Sequence, residues 1–161
     1  MFDDCQCIYL KPGEVYYADE SLVIHTVLGS CISITMYTRK LKAGIMSHCM
    51  LPCSSESVKQ GDDCMKYVDC AVLYMNRLFL QKKIDKKDIE VKLFGGSDMF
   101  TAASSAVTVG QRNITAALSI LDKLGYNISA RDTGGAFTRK LYFSIDTGTV
   151  YQRKISRIQG L

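Results

Sequence analysis

A chain of 161 residues with 47% hydrophobic and 22% charged side chains suits one compact α/β-sized domain, residues 1–161, and excludes a disordered or fibrous composition. Its formal charge of +4 is spread along the sequence, which fits an acidic protein partner better than nucleic acid, where a clustered basic face with aromatics is expected. No run approaches the roughly 18 apolar residues of a membrane span. The start, MFDDCQCIYLKPGE, is acidic and lacks a secretory leader's basic and apolar regions, so a cytoplasmic location is expected.

In chain order, the first predicted strand is the apolar, β-branched run 22–28, which stops at Gly29. Residues 31–38 (CISITMYT) alternate and read as a second strand, and 43–51 (AGIMSHCML) is a further apolar stretch ending before Pro52. The polar segment 53–63 is turn-like. A helix then follows from an N-cap at Asp62 or Asp63, with Met65, Val68, Val72, Met75, Leu78 and Phe79 at helical spacing and Lys82 and Lys83 in its last turn. Residues 89–94 alternate as a strand and run into Gly95-Gly96. A second helix is predicted over 111–124 with Gly125 as its stop. Two strands at about 140–145 and 149–155, joined by Asp146-Thr147-Gly148, close the chain as a hairpin. The sum is a single α/β domain in which two helices pack on strands.

The chemistry concentrates in residues 25–52. If 31–38 and 43–50 form an antiparallel hairpin centred between Arg39 and Lys40, Cys31 falls directly opposite His48. Directly paired residues share a sheet face with Cα atoms about 4.5–5.5 Å apart. A thiol of ordinary pKa is only a few per cent thiolate at neutral pH, and a neighbouring imidazole can take its proton and later return one to a leaving group. The turn Leu28-Gly29-Ser30-Cys31 places glycine just before the nucleophile. Backbone N–H groups around Gly29 and Ser30 can there meet a substrate's developing oxyanion. Thr26, on the preceding strand, is the candidate for the group that orients the imidazole.

The plainer readings stand beside these. A cysteine on a strand is usually a small buried hydrophobe, and a histidine is more often structural than basic. His25 is the competing base, but its position on the approaching strand suits binding or packing better. Seven cysteines, an odd number without a secretory leader, argue against a disulfide framework. Cys5, Cys7, His48, Cys49 and Cys53 offer thiol and imidazole ligands for zinc, yet no CxxC pair occurs, and no metal is expected. Cys64 and Cys70 are read as packing residues on different faces of the first helix. Gly95-Gly96 and Gly134-Gly135 match no phosphate-loop pattern and read as tight turns.

The chain resembles the chemoreceptor glutamine deamidase family, CheD. The resemblance rests on Leu28-Gly29-Ser30-Cys31 and Ala43-Gly44-Ile45-Met46-Ser47-His48-x-Met50-Leu51-Pro52. It continues through Lys92-Leu93-Phe94-Gly95-Gly96, Val109-Gly110-Gln111-Arg112-Asn113, and Asp132-Thr133-Gly134-Gly135 with Arg139. It implies a layered α/β/β sandwich like that of the cytotoxic necrotizing factor toxins, and hydrolysis of glutamine side-chain amides on methyl-accepting chemotaxis receptors. It maps the family's catalytic cysteine to Cys31 and its histidine to His48. The threonine falls at Thr26 or, with a one-residue shift, His25 takes that place. No cofactor is implied. A CheC-type phosphatase is the implied partner, which leaves a non-catalytic docking module as the alternative function. Departures from the family pattern are Cys49 after the histidine, Thr38-Arg39 after the strand, and the cysteines at the N-terminal end.

Overall fold

A computed structural model describes residues 4–54, 63–99 and 106–156. Within these, two sheets and two helices build three layers. One sheet holds β1 (Cys7–Tyr9), β3 (Val23–Leu28), β8 (Phe137–Ser144) and β9 (Val150–Ser156), in the order β1-β3-β8-β9. The other holds β2 (Val15–Ala18), β4 (Ile32–Thr38), β5 (Ala43–Ser47), β6 (Glu90–Gly95) and β7 (Ile128–Thr133), in the order β2-β5-β4-β6-β7. Helices α1 (Val68–Gln81) and α2 (Val109–Lys123) cover the outer face of the five-stranded sheet.

Strand alternation assigns the two cores. On β4, Ile32, Ile34 and Met36 face the helices and join Val72, Met75 and Phe79 of α1 with Ile114, Ala117 and Leu121 of α2. The odd residues of the same strand turn the other way. Cys31 and Tyr37 therefore pack between the sheets, with Ile24 and Leu28 from β3 and Leu141 and Phe143 from β8. The expected α/β/β layering is what forms. A strand buried on both faces reads as a continuous apolar run, and every residue of β4 and of β5 is buried.

Three expectations change. The β4–β5 connection spans Arg39 to Lys42, with Lys42 in the left-handed region (φ 46°) and its N–H on the Arg39 carbonyl at 3.3 Å. The pairs Thr38–Ala43 and Thr35–Met46 then centre the hairpin between Lys40 and Leu41, one position beyond the expected centre. The first helix does not begin at Asp62 or Asp63. A 3-10 turn at Cys64–Lys66 comes first, and extended Tyr67 bridges to Leu51 before α1 starts at Val68, its N–H on the Leu51 carbonyl. Lys82 and Lys83 lie past the last helical residue, Gln81. That break also overturns the reading of Cys64 and Cys70 as packing residues of one helix. With a 3-10 turn and an extended residue between them, their Cα atoms lie 5.7 Å apart and the two form a disulfide. Of the turn-like stretch 53–63, residues 55–62 lie outside the described residues.

Helix α2 starts two residues before its expected start. Thr108 and Gln111 form a capping box, each side chain bonded to the other's backbone N–H. Its stop is as expected, with Gly125 just past the end at φ 80°. The closing hairpin β8–β9 also forms where predicted.

Candidate active site

The site lies at one end of the space between the sheets. Beyond Thr35–Met46 the β4–β5 ladder is interrupted, because the Ser47 hydroxyl accepts the Ile34 N–H at 3.1 Å in place of a backbone carbonyl. The backbone of His48 turns instead to the loop before β2. Its N–H reaches the Glu14 carbonyl and its carbonyl takes the Gly13 N–H, at 2.9 and 2.8 Å. The ladder closes once more at Ile32–Cys49, with both hydrogen bonds made, at 3.0 and 2.8 Å.

This register corrects the direct opposition of Cys31 and His48. Cys31 falls opposite Met50, and His48 opposite Ser33. A slip of one residue would have sent the two to opposite faces, but a slip of two keeps them on the same face as diagonal neighbours. Cys31, half-buried, and His48, 2% exposed, both face the layer between the sheets.

Thr26 reaches this layer from the opposite sheet. It is fully buried on β3, and its Oγ1 lies 2.7 Å from the Leu10 carbonyl oxygen and 2.7 Å from His48 Nδ1. A hydroxyl carries a single proton. Given to the Leu10 carbonyl, which can only accept, it leaves Oγ1 to accept from Nδ1–H. The network thus assigns the tautomer in which Nε2 carries the lone pair. His25 points the other way. Its ring stacks on Tyr142 (centroids 5.7 Å apart, 16° between planes) and abuts Tyr9 on the outer face of the four-stranded sheet. Of the two positions left open by the resemblance, Thr26 is the one beside His48.

Burial pushes the His48 imidazole below its ordinary pKa, with smaller upward pulls from the Leu10 carbonyl and Glu14. Burial also raises the Cys31 thiol, against a smaller downward pull from its own backbone N–H. Each shift favours the neutral form of its own group.

The turn before Cys31 is held from two sides. The Gly96 N–H bonds to the Cys31 carbonyl at 2.9 Å and the Ser97 N–H to the Gly29 carbonyl at 3.0 Å. Gly95 sits at φ 103°, where a Cβ would lie 2.3 Å from the Cys31 carbonyl oxygen, so only glycine fits against the Cys31 backbone. Behind this turn, Arg139 is buried to 1% and donates to Ser97 Oγ (2.6 Å), Asp132 Oδ1 (2.7 Å) and the Gly134 carbonyl (2.7 Å). Partial burial would raise the Asp132 carboxyl, but hydrogen bonds from Lys154, Arg139 and Gln152 outweigh it and hold the pKa down to about 2. Asp132, Gly134 and Arg139 belong to the motifs of the family resemblance, whereas nothing in the sequence singles out Ser97. The signal for Arg139 was its place among the apolar alternate positions of β8, between Phe137 and Leu141.

No group of three or more metal-ligating side chains occurs among the described residues. Cys49 is fully buried beneath the helices, its thiol pushed up to about 12 by that burial.

A family model described as CheD chemotactic sensory transduction matches residues 50–154. A protein of Geobacter sulfurreducens described as probable chemoreceptor glutamine deamidase CheD 2 is 38% identical over 153 residues, covering 95% of this chain and 92% of that protein. This chain belongs to the CheD family. A CheD relative from Maridesulfovibrio salexigens is 31% identical, over 96% of this chain and 95% of that protein. One from the archaeon Methanococcus vannielii is 33% identical, with 94% and 97% covered. Both are described as probable chemoreceptor glutamine deamidases. The CheD likeness of these relatives thus includes the Cys31–His48 segment, which lies wholly before the span matched by the family model. No helix among the described residues is long and apolar enough to cross a membrane.

Proposed function

We propose that this protein hydrolyses glutamine side-chain amides on chemoreceptors, with Cys31 as nucleophile, His48 as general base and acid, and Thr26 as the group that orients the imidazole. The observation that carries the reading is the Thr26–His48 Nδ1 hydrogen bond of 2.7 Å, which frees Nε2 on the face shared with Cys31.

Cys31 Sγ attacks the carboxamide carbon while its proton passes to His48 Nε2. The oxyanion develops beside the Cys31 N–H in the Gly29-Ser30-Cys31 turn, the part of the site that faces the substrate. Collapse of the tetrahedral species breaks the C–N bond, and the imidazolium returns the proton so that ammonia leaves. Water then attacks the thioester, gives a proton to His48, and displaces the sulfur, which recovers that proton as a thiol. The product is glutamate. A neutral amide becomes a carboxylate, so the receptor gains a negative charge at each converted position.

A glutamine displayed on the surface of a receptor helix suits this site, since Cys31 is half-buried and a long side chain must enter to reach it. Docking on a CheC-type phosphatase and a cytoplasmic location belong to the same reading, and both follow from the family resemblance. The test is incubation with a receptor cytoplasmic fragment, read as amide-to-acid mass shifts in its peptides. Conversion is expected with the parent protein and not with Cys31→Ala. Equal conversion by Cys31→Ala rules the mechanism out.

A further inference from the structure

Past the Ile32–Cys49 pair, β4 and the end of β5 diverge. The next backbone hydrogen bonds of an antiparallel ladder would join Ser30 to Leu51, but the N–H groups of Met50 and Leu51 both go to the Lys66 carbonyl, at 2.8 and 3.1 Å. The fork that opens has Cys31 on one prong and Met50 on the other. One side chain fills it. Asn113, from the second turn of α2 and with no exposed surface, donates its two amide hydrogens to the Ser30 and Met50 carbonyls, each at 3.1 Å. Two carbonyl acceptors require the NH2 end there, so the orientation of the amide is settled by its surroundings. Its Oδ1 is left buried with no partner among the described residues, a cost that the two donated bonds must outweigh.

The helix bearing Asn113 cannot retreat from this position without loss. A Cβ on Gly110, one turn earlier, would lie 2.5 Å from the Gly96 carbonyl oxygen and 2.6 Å from that of Ser97, so α2 already rests backbone-to-backbone on the turn that holds Cys31.

We infer that Asn113 is a positioning residue for the reaction, a clamp whose amide hydrogens fix the separation of the two prongs and thereby place the Cys31 sulfur and backbone N–H relative to His48. The Ser30 carbonyl belongs to the peptide unit that carries the Cys31 N–H, so the hydrogen bond to Asn113 also orients that amide. This rests on the reading of Cys31 and His48 as the reacting pair.

The experiment compares the parent, Asn113→Ala, the isosteric Asn113→Asp, and Leu121→Ala. The last removes a buried side chain two turns along the same helix, away from the fork. Turnover is measured on a receptor fragment, and the pH dependence of Cys31 alkylation by iodoacetamide is followed on the Cys31 peptide by mass spectrometry. Displacement of a reacting group by about 1 Å costs on the order of a hundredfold, so either Asn113 variant is expected to lose about tenfold to a hundredfold in kcat with KM little changed. The alkylation midpoint is expected to move away from the parent's as the thiol changes its burial and its place beside the imidazole. Leu121→Ala, assayed below its own melting temperature, should keep the parent's kcat and midpoint. If Asn113→Ala fails to fold, Asn113→Asp carries the test, because it keeps the shape and replaces the donor by an acceptor. Parent-like kcat and midpoint in an Asn113 variant, or the same losses in Leu121→Ala, overturn the inference. An active Cys31→Ala would instead overturn the reading beneath it, so the two failures are distinguishable.

Discussion

Replacing Thr26 by valine removes one oxygen and nothing else of comparable size. In the parent, Thr26 Oγ1 gives its proton to the Leu10 carbonyl and accepts that of His48 Nδ1, both at 2.7 Å. Without the hydroxyl, Nδ1–H can still turn toward the Leu10 carbonyl, which already pulls on the imidazole. The imidazole and the carbonyl then share one hydrogen bond of poorer geometry in place of two good ones, a cost of about 1–3 kcal/mol. For a domain of this size that corresponds to a fall in Tm of roughly 3–9 °C. In turning, the ring carries Nε2 away from the sulfur, and loss of an orienting bond worth about 1–2 kcal/mol lowers kcat roughly 5- to 30-fold. Thr26→Ser keeps the oxygen and drops the methyl group, so it should lose stability but retain kcat within about threefold. The assay is receptor-fragment deamidation with Tm measured on the same samples. Thr26→Val with parental kcat, or Thr26→Ser as slow as Thr26→Val, would refute the reasoning, since the hydroxyl would then not be what orients the ring.

Because burial lowers the His48 pKa and raises that of Cys31, kcat/KM should stay level through neutral pH, with its acid limb below about 6.5 and no climb near 8.5 of the kind a free thiol gives; a pH–rate profile rising through that alkaline range would contradict a neutral resting pair. Asp132→Asn should destabilise by about 3 kcal/mol, because buried Arg139 would lose its carboxylate counter-charge and keep only neutral acceptors, Ser97, Gly134 and the amide oxygen at 132. The Asp132 pKa is depressed on folding, so its contribution is present above about pH 4 and is lost as pH falls toward 2. Urea titrations across that range should show a parent stability that declines with acid more steeply than the variant's. Gly44→Ala places a Cβ 2.6 Å from Phe143 Cζ on the facing sheet, and overpacking of about 1–3 kcal/mol should appear as a lower Tm. A Gly44→Ala protein as stable as the parent would mean that the sheets separate at no cost there.

The sequence by itself determined the elements whose signals are local. The run 22–28, the alternation of 31–38 and 89–94, the end of the second helix at Gly125 and the closing hairpin all formed close to where residue patterns placed them. Cys31 and His48 were joined in the sequence by direct hairpin opposition and the Gly-Ser turn before Cys31; the structure replaces that opposition by a register two residues away that keeps both on one sheet face. Only the tertiary structure decided what depends on groups distant in the chain. The hairpin centre moved by one position because the Arg39–Lys42 turn and the Ser47 hydroxyl, not strand alternation, set which residues face each other. The first helix began late because Leu51 bonds to Lys66 and Val68 on either side of extended Tyr67, and that extended residue brought Cys64 to Cys70, a pairing that periodicity hides. Thr26 met His48 across the gap between two sheets, and Asn113 met the Cys31 strand from a helix some 80 positions later. Periodicity reports which face of an element is buried, but hydrogen bonds between elements are fixed only when packing brings particular atoms within about 3 Å.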